Sequence, residues 1–138
     1  MPIRPFLRAR RARRNGRIGM ASDFVIDLGS GDGKIAIAAA RDFRARSRGI
    51  EFNPEMVALS RRNAEAAGVS DRVQFVNGDL FEADLDEATV ITMYLLPSIN
   101  MRLRPTLLDL KPGTRIVSNT FTMGEWKDDD TATVEESQ

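Results

Sequence analysis

The sequence predicts one α/β domain with a mostly parallel, doubly wound sheet of five strands and helices on both faces. Two observations support this. Short apolar, β-branched runs recur between Asp23 and Phe121, and longer helical patterns alternate with them. The chain has 138 residues, of which 42% are hydrophobic and 29% charged, a size and composition that suit a single core.

The first half of the domain alternates strand, helix, strand and helix. Phe24–Leu28 reads FVIDL and is closed by glycines, which is typical of a buried parallel strand. The Ala-rich stretch Lys34–Phe43 predicts a helix, and residues 47–52 predict a second strand that ends in an acid. A helix over 53–67 follows, with an Asn N-cap, a proline at its first position and Gly68 after its end.

The second half continues the alternation. Residues 72–76 and 89–95 predict the third and fourth strands, and residues 115–121 the fifth. A helix is expected over 98–110, where Pro105 should kink it or mark a restart.

The two ends differ in charge from the middle. Residues 1–20 carry seven Arg and no acid, whereas residues 125–138 carry six acids and one Lys. We therefore expect a basic arm over 1–20, the folded domain over 21–124 and an acidic tail over 125–138. No apolar run reaches the ~20 residues of a membrane helix and no secretory signal is visible, so the expected location is the cytoplasm, without membrane contact.

The composition excludes several kinds of chemistry. The chain has no Cys and no His. This removes disulfides, Cys/His zinc sites, thiol nucleophiles, Ser-His-Asp triads and any His general base, and we expect no metal. Catalysis must then rely on carboxylates, Tyr, Lys, Arg, backbone amides or a bound cofactor.

A glycine-rich loop joins the first strand to the first helix. Its sequence, DLGSGDGK over 27–34, lacks the spacing and hydroxyl of a Walker A loop and the third glycine of a dinucleotide fingerprint. Asp27 and Asp32 flank the turn, where carboxylates would repel a pyrophosphate but suit an ammonium or sulfonium centre. The loop therefore favours S-adenosylmethionine, although such a turn can also occur without a ligand.

Acidic residues follow the next two strands. Glu51 lies 18 residues beyond Gly33, close to the ~20 at which an acid reaches ribose hydroxyls. Asp79 follows the third strand, where its carboxylate can accept from an adenine amine while the amide of Leu80 faces a ring nitrogen. Asn-Gly-Asp over 77–79 is equally typical of a turn without a ligand.

These motifs, DLGSGDGK, GIEFNP and NGDLF, resemble those of class I S-adenosylmethionine-dependent methyltransferases over about residues 23–121. The resemblance implies a Rossmann-like fold, with Glu51 on the ribose and Asp79 with Leu80 at the adenine. It places a further set around the methionine portion and the base: Asp27, Gly29, Ser30, Gly31, Gly33 and Phe52.

The segment YLLP over 94–97 and the sequence that follows are similar to a narrower group, the protein-lysine methyltransferases of the ATP synthase c-subunit type and their prokaryotic relatives. This resemblance implies a protein substrate with an acceptor lysine, and an acceptor pocket lined by Tyr94 and Pro97, with Asn119 as a weaker candidate. Tyr94 at a strand end is also typical of a core residue. Because methyl transfer is an in-line displacement, it needs no covalent enzyme intermediate and no His.

The chain departs from the class I pattern at both ends. The Arg-rich leader stands where family members carry a helix, and the last two strands are missing. This predicts an exposed fifth strand, unless a second copy in a homodimer or another chain covers it. The alternative function is a non-catalytic S-adenosylmethionine-binding module, or an RNA-associated methyltransferase whose basic arm contacts phosphates.

Overall fold

The computed structural model describes residues 2–3, 6–8, 22–118, 130–131 and 134–135. The strands are β1 (Pro2–Ile3), β2 (Phe6–Arg8), β3 (Phe24–Leu28), β4 (Arg46–Glu51), β5 (Val73–Asn77), β6 (Val90–Met93), β7 (Arg115–Ser118), β8 (Asp130–Thr131) and β9 (Val134–Glu135). The helices are α1 (Lys34–Phe43), α2 (Pro54–Ala66) and α3 (Pro97–Leu108), and a 3₁₀ turn spans Leu80–Glu82.

The main sheet has the strand order β5-β4-β3-β6-β7-β2-β8. Strands β3 to β7 are parallel to one another, so the prediction of a parallel five-stranded α/β sheet is confirmed. The first strand in the parallel set, β3, lies at its centre, and the chain reverses its direction of winding between β5 and β6. Loops that follow β3, β4 and β5 therefore meet at one edge of the sheet, where open α/β sheets bind ligands.

The expectation of an exposed fifth strand is wrong. Strand β2 pairs antiparallel with β7, in the register Phe6↔Ser118 and Arg8↔Ile116, and β8 pairs with β2 in turn. A short stretch of the N-terminal segment thus hydrogen-bonds to the edge that a second copy was expected to cover. The arginines of this segment indicate a solvated arm, but its apolar Phe-Leu pair favours a strand. The boundaries at residues 20 and 125 stay a prediction.

The local signals at α2 are confirmed in detail. Asn53 is its N-cap, and its side-chain Oδ1 accepts a hydrogen bond from the amide of Glu55 at 2.9 Å. Gly68 follows the helix with φ of +73°, as a glycine stop requires. Of the two expectations at Pro105, the restart is wrong, because α3 continues through this residue, and the kink stays a prediction. Residues 119–121, expected to extend the fifth strand, lie outside the described residues.

Helices pack on both faces of the sheet. On one face, α1 and α2 contribute to a cluster of small and aliphatic side chains around Phe75. On the other face, α3 contributes Leu103 and Leu107 to a larger cluster with the β3 side chains Ile26 and Leu28. Burial of these apolar surfaces is the main source of stability. None of the described helices is long and apolar enough to cross a bilayer, and the cytoplasmic location stays a prediction.

A buried ion pair ties the strands together at the opposite edge from these loops. The guanidinium of Arg115, the first residue of β7, donates to Asp23 just before β3, and both side chains are fully buried. Thr89 donates to the same carboxylate at 2.8 Å and accepts from the amide of Phe24 at 2.9 Å. Such a pair is costly to break, since removal of one partner leaves a buried charge.

Candidate functional site

The glycine-rich loop is held firmly against β4. The amides of Gly29 and Ser30 both donate to the carbonyl of Ile50, at 2.9 and 3.1 Å. Gly33 follows with an amide that donates to the carbonyl of Ser30 at 2.9 Å. Backbone hydrogen bonds within the chain therefore define the conformation of the loop.

Two of its glycines have different structural roles. At Gly33 the backbone has φ of +87°, and an added Cβ would lie 2.7 Å from Cζ of Phe75, so no larger residue fits. At Gly31, φ is +55° and an added Cβ would meet nothing within 4 Å. Gly33 thus packs against the domain, whereas Gly31 leaves open space beside the loop.

Glu51, the last residue of β4, connects this loop to the start of α2. One carboxylate oxygen accepts from the amide of Gly31 at 2.7 Å, and the other accepts from the amide of Asn53 at 3.0 Å. Each oxygen keeps a second lone pair, and the side chain is only half-buried. The carboxylate can therefore position the loop and still accept hydrogen bonds from a ligand.

Asp27, the fourth residue of β3, lies beneath the loop and is 2% exposed. Burial raises its pKa from 3.8 to about 7, the nearby charge of Glu51 also raises it, and a hydrogen bond from Thr92 Oγ1 at 2.6 Å acts in the opposite direction. From the sequence alone, a fully charged carboxylate is expected at this position. Near neutral pH it is instead close to half-protonated, so a cation beside it would favour the ionised form.

Asp79 is the N-cap of the 3₁₀ turn after β5. Its Oδ1 accepts from the amide of Phe81 at 2.9 Å, and the side chain is exposed. The turn that was one interpretation of this motif is therefore present, and the carboxylate remains open to solvent. Leu80, the first residue of the turn, is partly buried against the core. Phe52, at the end of the neighbouring strand, is 78% exposed.

Sequence reasoning missed the side chains that hold these loops in place. Asn77 donates through Nδ2 to the carbonyls of Glu51 and Phe52, at 3.0 and 2.8 Å, and so joins the ends of β4 and β5. On α2, Ser60 donates to the carbonyl of Gly31 at 2.8 Å, and Asn63 donates through Nδ2 to the carbonyl of Asp32 at 3.0 Å. The available signal was a Ser and an Asn one turn apart on a helix.

The residues predicted to line the acceptor pocket follow β6. Tyr94 is partly buried, and Leu96 before α3 is 61% exposed. For Pro97 the structure describes only the backbone, as the first residue of α3. Asn119 lies outside the described residues.

The arrangement at this edge fits an S-adenosylmethionine molecule by its chemistry. A buried carboxyl suits a cationic head group, a half-buried carboxylate with free lone pairs suits two ribose hydroxyls, and an exposed aromatic ring suits a planar base. These three features belong to Asp27, Glu51 and Phe52, which lie at or next to the carboxyl ends of the adjacent strands β3 and β4. The roles of the individual residues stay predictions.

Comparison with known proteins supports the same assignment. The model of the ANTKMT methyltransferase domain matches residues 27–130. A protein-lysine N-methyltransferase of Saccharolobus islandicus is 45% identical over 116 residues, which cover 83% of this chain and 72% of that protein. The mouse adenine nucleotide translocase lysine N-methyltransferase is 36% identical over 104 residues, or 75% of this chain. The chain spans 45% of the length of this mouse relative.

Solved structures show the same fold. A Salinibacter ruber protein described as an RNA methyltransferase, crystallised with S-adenosylhomocysteine, has a TM-score of 0.80 and 50% identity over 84% of this chain and 80% of its own. A Geobacter sulfurreducens S-adenosylmethionine-dependent methyltransferase has a TM-score of 0.63 and 30% identity over 72% of this chain and 42% of its own. The chain therefore belongs to the ANTKMT methyltransferase domain family, which confirms the methyltransferase class and the S-adenosylmethionine dependence that the sequence predicts.

Proposed function

We propose that this chain transfers a methyl group from S-adenosylmethionine to the side-chain amine of a protein lysine. The observation that carries the cofactor half of this proposal is the Glu51 carboxylate, which bridges the Gly31 and Asn53 amides and keeps lone pairs for a ligand. The acceptor half is supported by relatives named as protein-lysine methyltransferases, one of them 45% identical.

We assign the cofactor contacts to the loops at the ends of β3, β4 and β5. Glu51 would accept from the ribose hydroxyls, and the exposed ring of Phe52 would lie against the base. Asp79 and the amide of Leu80 would contact the polar edge of the adenine. The methionine portion would be surrounded by Asp27, Ser30 and the three loop glycines, Gly29, Gly31 and Gly33. Support for this set comes from the shared edge and the hydrogen bonds between the loops.

The bound cofactor supplies a methyl group on a positively charged sulfur. The chain has to orient a neutral amine in line with that methyl group and exclude water. We assign this task to Tyr94, Leu96 and Pro97, because they follow β6, the strand next to β3, at the same edge. An apolar surrounding lowers the pKa of a lysine ammonium and so favours the neutral amine that reacts.

The nature of the acceptor is the part most in need of a test, since the Salinibacter neighbour is described as an RNA methyltransferase. Purified protein would be incubated with S-adenosylmethionine labelled in the methyl group and a cell lysate, which is then digested with either protease or ribonuclease. We expect protease-sensitive label that hydrolyses to methyl-lysine. Ribonuclease-sensitive label, or methyl groups on residues other than lysine, would contradict the proposal.

A matched pair of variants shows whether this activity comes from the proposed site. Glu51→Gln removes the charge and one acceptor, whereas Glu65→Gln makes the same change at an exposed position on α2. We expect the first variant to lose label incorporation and the second to retain it. Equal activity in the two would place the cofactor elsewhere.

A further inference from the structure

A cleft lies at the amino ends of the parallel strands, away from the cofactor loops. Its volume is about 560 Å³, and it opens beside the amino ends of β3, β4 and β5. The residues that line it include Phe24 and four arginines, Arg46, Arg48, Arg61 and Arg72. We call these five residues the arginine cleft.

The strand pairing explains why two of these arginines lie together. Arg46 and Arg48 alternate along β4 and so point to the same face, on which Phe24 of the paired strand also lies. Their guanidinium carbons lie 4.8 and 5.0 Å from the centroid of the Phe24 ring. These distances are typical of cation–π contacts, which hold the two side chains beside the cleft.

The other two arginines reach the cleft from different elements. Arg61 on α2 donates to the carbonyl of Phe75 at 2.9 Å, which fixes its position at the edge strand β5. Arg72 precedes β5, and within the described part of the chain its Nε is shielded from water and has no acceptor. A shielded donor without a partner is unfavourable, and an added acceptor would relieve this.

Acidic residues compensate little of this charge. Asp71 is the one acid among the described residues that line the cleft, and its carboxylate lies 3.9 Å from Arg72. Arg48 lies 3.8 Å from Glu87, an exposed side chain outside the lining. Both separations exceed hydrogen-bond distance, and exposed pairs of this kind contribute little. The lining therefore keeps a positive balance.

We propose that the arginine cleft binds an anion that carries several phosphate groups. A guanidinium has five N–H donors in a planar fork that matches phosphate oxygens. Arg48 uses one of them to donate to Oε1 of Gln74 at 2.8 Å, and Arg61 uses one to donate to the carbonyl of Phe75. Because the arginines approach from β4, α2 and the start of β5, the ligand must accept from several directions. A tetrahedral phosphate does so, whereas a planar carboxylate presents its acceptors in one plane.

This proposal does not depend on the proposed methyl acceptor. The ligand class includes both free oligophosphates and the backbone of a nucleic acid, and the experiment separates these two sources. Binding of inorganic tripolyphosphate, a single-stranded ten-nucleotide RNA and polyglutamate would be measured by calorimetry over a series of salt concentrations.

Two double variants isolate the cleft from the rest of the chain. Arg46→Gln/Arg72→Gln removes two cleft charges, and Arg41→Gln/Arg62→Gln removes two charges from helices outside it. Both variants keep the basic N-terminal segment, so its contribution to anion binding cancels. S-Adenosylhomocysteine binding and a thermal melt show that each variant is folded, and we expect both to match the wild type.

We expect roughly a tenfold or larger loss of tripolyphosphate affinity in the cleft variant and less than about a twofold loss in the control. If the RNA binds more tightly than tripolyphosphate, and the cleft variant but not the control loses this affinity, the ligand is a nucleic-acid backbone. If the RNA binds no more tightly than tripolyphosphate, the ligand is a free oligophosphate. The proposal is wrong if no phosphate compound binds, if both variants lose affinity equally, or if polyglutamate binds as tightly as tripolyphosphate. A cleft variant that loses only thermal stability would also overturn it, because the arginines would then serve the fold alone.

Discussion

The buried carboxyl of Asp27 should make the stability of the domain depend on pH in a range where few other groups titrate. Its pKa is raised from 3.8 to about 7, chiefly by burial, with a contribution from Glu51 and an opposing one from Thr92. The folded state therefore keeps a proton that the unfolded state loses above about pH 4. Since the folded chain binds more protons, the free energy of unfolding falls as the pH rises to about 7, and it levels off above that.

The magnitude follows from the gap between the two pKa values. The full effect is about 4 kcal/mol, of which roughly 2 to 3 kcal/mol falls between about pH 5 and pH 8. The chain has no His and no Cys, so no other side chain has an ordinary pKa in this interval.

The assay is urea denaturation at several pH values for the wild type and for Asp27→Asn. The amide keeps an oxygen that accepts from Thr92 but does not titrate, so the variant should lack this pH dependence and become the more stable protein near about pH 8. Asp32→Asn, in the exposed part of the same loop, should follow the wild type. If wild type and Asp27→Asn lose stability in parallel, within about 0.5 kcal/mol, the reasoning about the buried carboxyl is refuted.

Three further predictions concern the loops at the cofactor edge. Gly33→Ala should lower the free energy of unfolding by about 2 kcal/mol or more, because residue 33 has positive φ and the new Cβ would lie 2.7 Å from the Phe75 ring. Gly78→Ala is the control: its Cβ would have its nearest neighbour at 3.8 Å, and the same urea titration should show a change of less than about 1 kcal/mol. Glu51→Gln should weaken S-adenosylhomocysteine binding about 10- to 100-fold by calorimetry, and an affinity equal to that of Glu65→Gln would contradict the assignment. Phe52→Ala should weaken the same binding about fivefold with an unchanged melting temperature, since the ring is 78% exposed; a large loss of stability would instead show a packing role.

Local sequence signals were sufficient to place most of the parallel core. Asn53 and Pro54 identified the start of α2 because capping and proline geometry act within one turn of the chain. The loop glycines and Glu51 were likewise recognisable, since their spacing reflects a strand, a turn and a helix of ordinary length. Boundaries that depend on neighbours were less accurate, as at α3, where the helix tolerates Pro105.

The contacts that connect distant segments could not be predicted in this way. The pairing of Thr92 with Asp27 joins residues 65 positions apart, and nothing in either local sequence marks it. The role of Asn77 was hidden because the same residues also form an ordinary turn. The pairing of β2 with β7 depends on a sheet edge that exists only after the core has formed.

The network at the cofactor edge separates two parts of the function along the chain. The proposed cofactor residues all lie between Asp27 and Leu80, and hydrogen bonds from Glu51 and Asn77 connect the loops that carry them. The residues proposed to line the acceptor pocket begin only at Tyr94, after β6. The two sets are in contact, because Thr92 of β6 donates to Asp27 and a Cβ added at Gly29 would lie 2.7 Å from Cδ2 of Leu95, so a change in the segment after β6 should also affect the glycine-rich loop.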